Sequence, residues 1–260
     1  MEEMIRVKGA SYARYEELLL RRDQLKKDAF QYQQDYIREF GSLILELFEL
    51  KMEGIRKKKT IEYCQAALNH GKTVDPDALK AFLERELASF KEKLEEMIRE
   101  KEAADDAKPI TAAKLLKIKR IYHKLVKKIH PDINPRVKES KTLEDLWHQV
   151  ALAYNCNDLE LLQELEVLVE SALEQLGEEG EEIDIPDIDE RIEKLEHEIS
   201  VIIETDPYQY KYLLDDEDLI EEKKQDLRDE IRSYQDYLKT LEEVLEDLMH
   251  RGVKITWQTS

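Results

Sequence analysis

Residues 111–135 read TAAKLLKIKRIYHKLVKKIHPDINP, the most strongly patterned stretch of the chain. No acidic residue occurs between Thr111 and His130, although the whole chain has a formal net charge of -19. The stretch instead contains these basic residues: Lys114, Lys117, Lys119, Arg120, Lys124, Lys127 and Lys128. Its apolar residues recur every three or four positions, which predicts an amphipathic helix with a positively charged outer face.

The predicted helix ends where the sequence reads His-Pro-Asp. Pro131 cannot continue a helix and disfavours helical dihedral angles at His130, so we expect the helix to stop at the histidine. Thr142 is followed three residues later by an acid, a capping-box pattern that predicts the start of the next helix. Two antiparallel helices joined in this way would display His130, Pro131 and Asp132 at the connecting tip.

These residues resemble a known family. The segment YHKLVKKIHPDINP, residues 122–135, looks like helix II and the HPD loop of J domains, the DnaJ-type cochaperones. The likeness extends back to Ile118 and Lys119, and it covers about 65 residues, roughly 110–175. Forward of the loop it includes Trp147, Val150, Ala153 and Tyr154. The resemblance implies a small helical core.

The resemblance also implies a function as a non-enzymatic cochaperone. J domains dock on a DnaK-type chaperone through this basic helix and loop, and docking accelerates ATP hydrolysis by the chaperone. The docking residues implied by similarity are Lys119, Arg120, His123, Lys124, Lys127 and Lys128, with His130, Pro131 and Asp132 as the trigger. A cationic helix can steer the approach to an acidic surface, and the Asp132 carboxylate can form a charge-assisted bond with a partner arginine.

Three features of the better-known J proteins are missing from the sequence. It has neither a Gly/Phe-rich segment nor repeated Cys-x-x-Cys pairs. The Asp-Tyr-Tyr-like start of the family's helix I does not precede Thr111. We therefore expect the C-terminal half of a helix over 77–104 to cover that side of the core, and helical arms to select the client.

The N-terminal arm is predicted to be a helical hairpin. Apolar residues over 11–50 step by three and four, which indicates a long amphipathic helix. Gly54 and the basic run after it are expected to weaken this helix, and Gly71 is expected to end it. An Asp-Pro pair at 75–76 supplies an N-cap and a first-turn proline for a second helix over 77–104.

The C-terminal third is predicted to contain a second hairpin. Residues 177–190 are acidic with little to bury, which indicates a linker. Apolar residues over 188–202 and 220–248 follow a coiled-coil rhythm, and because the first helix is shorter, the rest of the stripe needs another partner, such as a second copy in a homodimer. The predicted all-α chain comprises an N-terminal helical hairpin (1–108), a J-domain-like core (109–176), the acidic linker (177–190) and a C-terminal coiled-coil hairpin (191–260).

Composition argues against several classes of function. Residues 177–260 carry 10 basic and 27 acidic side chains, the opposite of what nucleic-acid or membrane binding favours. The two cysteines lie far apart, and no cluster adds to His123, His130 and Asp132, so we expect no metal site. We find no catalytic constellation or cofactor motif, and the first residues lack the apolar core of a signal peptide, which predicts a cytoplasmic protein.

Two alternatives stay open. The chain could be a coiled-coil scaffold or adaptor in which the J-like core is only a structural joint. Nucleic-acid binding through the basic helix is a third reading, which would require strongly salt-dependent binding.

Overall fold

The computed structural model describes residues 2–106, 110–175 and 187–251. Over these ranges the chain forms eight α-helices and a short 3-10 turn, without any strand, which confirms the predicted all-α class. None of the helices in this part of the chain is both long enough and apolar enough to cross a membrane.

The helices vary widely in length. In chain order they are α1 (Glu2–Asn69), α2 (Pro76–Asp106), α3 (Ala112–Ile129), α4 (Lys141–Asn155), α5 (Leu159–Gln175), α6 (Ile188–Glu204), α7 (Tyr210–Leu214) and α8 (Glu217–His250). The 3-10 turn, Pro135–Glu139, lies between α3 and α4. The described chain divides into two compact units, and α1 contributes to both. The first unit contains residues 2–31, 110–175 and 187–209, and the second contains 32–106 and 210–251.

The first unit is built around α3, α4 and α5. One continuous hydrophobic core joins these helices to the N-terminal part of α1 and to α6. Members of this core with almost no exposed surface are Leu18, Leu19, Ile118, Leu125, Ile129, Val150, Leu162 and Leu165. Most of the apolar residues of α3 and α4 that sequence periodicity placed inward are buried or half-buried, but Leu115, which was placed on the same face, is 40% exposed.

The segment that covers this core differs from our expectation. No residue of α2 belongs to the core cluster of the first unit, and α2 lies in the second unit. The covering residues come instead from Tyr15 to Leu25 of α1. The expectation that residues 77–104 would cover the core was therefore wrong: both helices carry an apolar stripe, and sequence proximity does not determine which stripe packs there.

The second unit buries the stripe of α8 against α1 and α2. One cluster joins Phe40 and Leu47 of α1 to Leu227 and Ile231 of α8. A second cluster comprises Ile61, Cys64, Val74, Leu79, Leu83, Leu241 and Leu248. In contrast to the predicted hairpin over 191–260, α6 packs in the first unit and α8 in the second. A heptad pattern defines an apolar stripe but does not determine which helix packs against it. The apolar stripe of α1 is longer than that of α6, and α8 packs against α1.

The expected weakening of α1 at Gly54 does not interrupt the helix. The helix continues through Gly54, because the glycine packs against α8 and three of the four basic residues at 56–59 pair with acids. Arg56 binds Glu53 at 2.7 Å, and Lys57 reaches Glu242 of α8 at 3.1 Å. The run after Gly54 therefore forms ion pairs along the helix surface.

The predicted ends of this helix pair are confirmed. Helix α1 stops at Asn69, and Gly71 follows with a φ of 63°. Helix α2 begins at Pro76, where the backbone N–H of Asp77 donates to Oδ1 of Asp75 at 3.0 Å.

The start of α4 and the segment before α6 were also predicted from the sequence. Helix α4 starts at Lys141 and is capped by Ser140, whose Oγ accepts from the N–H of Leu143 at 3.4 Å, so the predicted cap at Thr142 was wrong. Ser140 offers the same hydroxyl chemistry directly after the 3-10 turn. Most of the predicted acidic linker, residues 177–186, lies outside the described residues, and its last residues belong to the start of α6.

Candidate functional site

Helix α3 leads directly into the loop that the resemblance singled out. Thr111 caps its start, because the N–H of Lys114 donates to Thr111 Oγ1 at 3.3 Å. The helix ends at Ile129, and His130 already has extended dihedral angles, φ -70° and ψ 126°. This confirms the predicted stop at the histidine.

The loop His130–Asn134, which we call the HPD loop, is fixed by several hydrogen bonds. The N–H groups of Ile133 and Asn134 both donate to the His130 carbonyl oxygen, at 2.9 and 2.8 Å. The Asn134 side chain donates to the carbonyl oxygen of Lys128 at 3.0 Å. The loop is therefore a defined turn tied back to the last turn of α3.

The His130 side chain supports this turn from the inside. It is 3% exposed, its Nδ1 accepts the backbone N–H of Asp132 at 3.0 Å, and its ring meets Trp147 at 4.5 Å between centroids. Because Nδ1 accepts, the proton of the neutral ring lies on Nε2. Burial lowers the pKa of His130, with Asp23 and Asp132 acting in the opposite direction.

The expectation that the loop would display His130 was therefore wrong. Its ring is used to hold the loop and to pack on Trp147, both of which require burial. The Asp132 side chain keeps 35% of its surface exposed. Within the loop, Asp132 is thus the charged group that a partner can reach.

The other wall of the site comes from α1, which sequence reasoning missed. The hydroxyl of Tyr122 donates to Oδ2 of Asp23 at 2.8 Å, and its ring stacks on Tyr154 at 3.7 Å. On the far side of the same pair, Lys27 lies 3.8 Å from the centre of the Tyr154 ring and donates to the Tyr154 carbonyl oxygen at 2.7 Å. Burial lowers the pKa of Lys27 to about 8. The apolar rhythm of α1 predicted a packing face but not these polar partners.

A cavity of about 290 Å³ lies between α1 and the HPD loop. Arg22, Asp23 and Lys26 line it from α1, while His130, Pro131 and Asp132 line it from the loop. Aromatic residues Tyr122, Trp147 and Tyr154 also contribute to its lining. Arg22 is held by Asp23 at 2.9 Å and by Glu198 of α6 at 3.7 Å.

The predicted docking face of α3 divides into two parts. The lysines nearer the loop form ion pairs within the chain: Lys124 with Glu166 and Glu170, Lys128 with Glu170, and Lys127 with Glu16. Lys119 and Arg120 are exposed, and no ion pair to them occurs among the described residues. Burial, together with Lys119 and Lys127, lowers the pKa of His123, so its ring is neutral at pH 7.

In the described ranges, no group of three His, Cys, Asp or Glu side chains is arranged to hold a metal ion. Comparison of the chain with models of known protein families, with curated proteins and with solved structures finds no match.

Proposed function

We propose that the first unit is a J-type docking module that binds a DnaK-type chaperone in the cytoplasm and stimulates its ATPase. The observation that carries this proposal is the geometry of Asp132. Its N–H is held by the buried ring of His130, while its carboxylate remains accessible at the end of a cationic helix. A loop fixed before binding loses little conformational entropy on docking, which favours affinity.

Each part of the surface has a separate role in this mechanism. Lys119 and Arg120, which are exposed on α3, steer an acidic face of the chaperone toward the helix. The Asp132 carboxylate then accepts a charge-assisted hydrogen bond from an arginine of the chaperone. The chain supplies no chemistry, and hydrolysis takes place in the partner.

The test compares ATP hydrolysis by a purified DnaK-type chaperone with and without this protein. We expect Asp132→Asn to reduce the stimulation at least about tenfold, because an amide cannot replace the charge. The matched control is Asp145→Asn, the same change at an exposed position of α4. Stimulation that survives Asp132→Asn, or is lost equally in the control, would refute the proposal. Asp132 is a better probe than His130, whose replacement would also disturb folding.

A coiled-coil scaffold is the second candidate, and one observation favours it. The three lysines of α3 nearest the loop are already neutralised by Glu16, Glu166 and Glu170. In a scaffold these ion pairs would simply join α1, α3 and α5. Under this reading Asp132→Asn is silent in cells, whereas deletion of α8 destroys function.

The second unit is proposed to be the arm that recognises a client or another assembly. Tyr212 of α7 is an exposed aromatic side chain in this unit. A homodimer formed through this arm is a related proposal, and light scattering on the whole chain tests it directly. We propose no nucleic-acid partner, since α8 is strongly acidic.

A further inference from the structure

We propose that Arg22 of α1 is an internal competitor for Asp132, occupying the place at the HPD loop that an arginine of the chaperone would take. This inference rests on the proposed function and adds regulation to the same site. Arg22 and Asp132 line one cavity, from α1 and from the loop. The competing group is therefore built into the chain itself.

The charges around the cavity support this role. Asp132 is one of the carboxylates that act electrostatically on the Arg22 guanidinium, together with Asp23 and Glu198. The Arg22 side chain is only 15% exposed, so water screens these interactions weakly. Asp132 thus already experiences two cations of its own chain, Arg22 across the cavity and Lys138, whose Nζ lies 3.8 Å from Oδ1 of Asp132. Both reduce its attraction for an arginine of a partner.

The arrangement allows the side chain to move without unfolding the unit. Leu18 and Leu19 of α1 are 1% and 0% exposed, which anchors the helix in the core. Arg22 itself has alternative acidic partners on both sides, Asp23 at 2.9 Å and Glu198 at 3.7 Å. A partner therefore needs to displace one side chain, and that side chain keeps Asp23 and Glu198 as acidic partners when it moves.

The competitor model predicts opposite effects for two single charge removals. We expect Arg22→Gln to tighten binding of the purified chaperone about three- to tenfold, because Asp132 loses the less exposed of its two internal cations and keeps only the exposed Lys138. We expect Glu198→Gln to weaken binding about twofold, because Arg22 then interacts more with the loop. Affinity is measured by titrating the full-length chain into the chaperone at low and high salt, and the differences should shrink at high salt.

The matched control is Arg14→Gln, which removes the same charge from the same helix. Arg14 pairs with Glu17 and Glu196 and does not line the cavity. Its replacement should leave affinity unchanged. If Arg22→Gln lowers the unfolding midpoint, the exposed cavity-lining residue Lys26 supplies a second variant, and Lys26→Gln should tighten binding in the same direction.

The outcomes separate this inference from the proposed function. Tighter binding of Arg22→Gln that disappears when Asp132→Asn is added supports both. Binding that depends on Asp132 but is unchanged or weaker in Arg22→Gln and Lys26→Gln overturns the competitor and leaves the docking function standing. Absence of binding in the unchanged chain and in both of these variants overturns both proposals.

Discussion

At the scale of single residues, His130 is best understood as a positioning residue for Asp132. Its Nδ1 accepts the Asp132 N–H at 3.0 Å, and the carbonyl oxygen of His130 accepts two further N–H groups of the loop. The ring is also enclosed by contact with Trp147. Protonation of Nδ1 would remove the acceptor on which the turn depends, so the loop geometry requires a neutral histidine.

The stability of the first unit should therefore decrease in mildly acidic solution. Burial holds the pKa of His130 below its ordinary value of 6.5, so the unfolded chain binds more protons just below pH 6.5. The contribution of His130 to the free energy of unfolding is complete above that pH and is lost as the pH falls toward the folded-state pKa. The loss is at most about 1.4 kcal/mol per pH unit. Urea unfolding at pH 7.5 and 5.5, followed by Trp147 fluorescence in a Trp257→Phe background, measures it.

Two variants separate this effect from general acid sensitivity. His130→Gln should cost about 1–3 kcal/mol at pH 7.5 and should flatten the pH dependence. His123→Gln should flatten it less, because that ring is only half-buried although its pKa is lowered in the same direction. An unchanged pH dependence in His130→Gln would show that the histidine is not the titrating group.

At the scale of secondary structure, the sequence predicted where helices end better than how they continue. The stops at His130 and Gly71 follow from backbone chemistry that is local to proline and glycine. Gly54 was expected to weaken α1 for a similarly local reason, but α8 packs there, with Tyr237 and Leu238 close to the glycine. Tertiary packing outweighs the intrinsic helix propensity of one residue.

The balance between helix propensity and tertiary packing can be measured by making the same change, Gly→Ala, at each of three glycines of the second unit. An added Cβ at Gly54 would lie 3.7 Å or more from Tyr237 and Leu238, so Gly54→Ala should stabilise by about 0.5–1 kcal/mol. At Gly41 the Cβ would lie 2.6 Å from Cδ of Lys101, which has to move, so the gain should be smaller. At Gly71, with φ 63°, alanine should cost about 1 kcal/mol.

Urea unfolding monitored by circular dichroism gives the three midpoints under identical conditions. The expected order of stability is Gly54→Ala, then Gly41→Ala, then Gly71→Ala. A lower midpoint for Gly54→Ala than for the unchanged chain would mean that the glycine is required for the approach of α8.

At the scale of the whole chain, each apolar stripe was predictable, but the pairing of the stripes was not. The stripes of α6 and α8 share a coiled-coil rhythm, yet Leu195 packs in the first unit and Leu241 in the second. Local periodicity is nearly the same for every amphipathic helix, so it cannot select among several long partners. For the same reason, the basic residues of α3 were predicted, but the ion pair between Lys127 and Glu16 of α1 was not.

The packing of α8 against α1 can be tested through the thiol of Cys64, which lies more than 170 residues before Leu241 in the sequence. Cys64 of α1 is 1% exposed and shares a cluster with Leu241 of α8, and burial raises the pKa of its thiol. In a Cys156→Ser background, Leu241→Asp places a charge in this cluster and should open it. We expect the reaction of Cys64 with a chromogenic disulfide reagent to become at least about tenfold faster, because protection depends on the packing.

Val244→Asp is the control, because Val244 lies on the same helix at 38% exposure. The charge it introduces faces solvent, so Cys64 should stay protected. If α8 instead paired with α6 as the heptad pattern suggested, Leu241→Asp would leave the reactivity of Cys64 at its original value. The comparison of Leu241→Asp with Val244→Asp thus distinguishes an α8 that packs against α1 from an α8 that packs against α6.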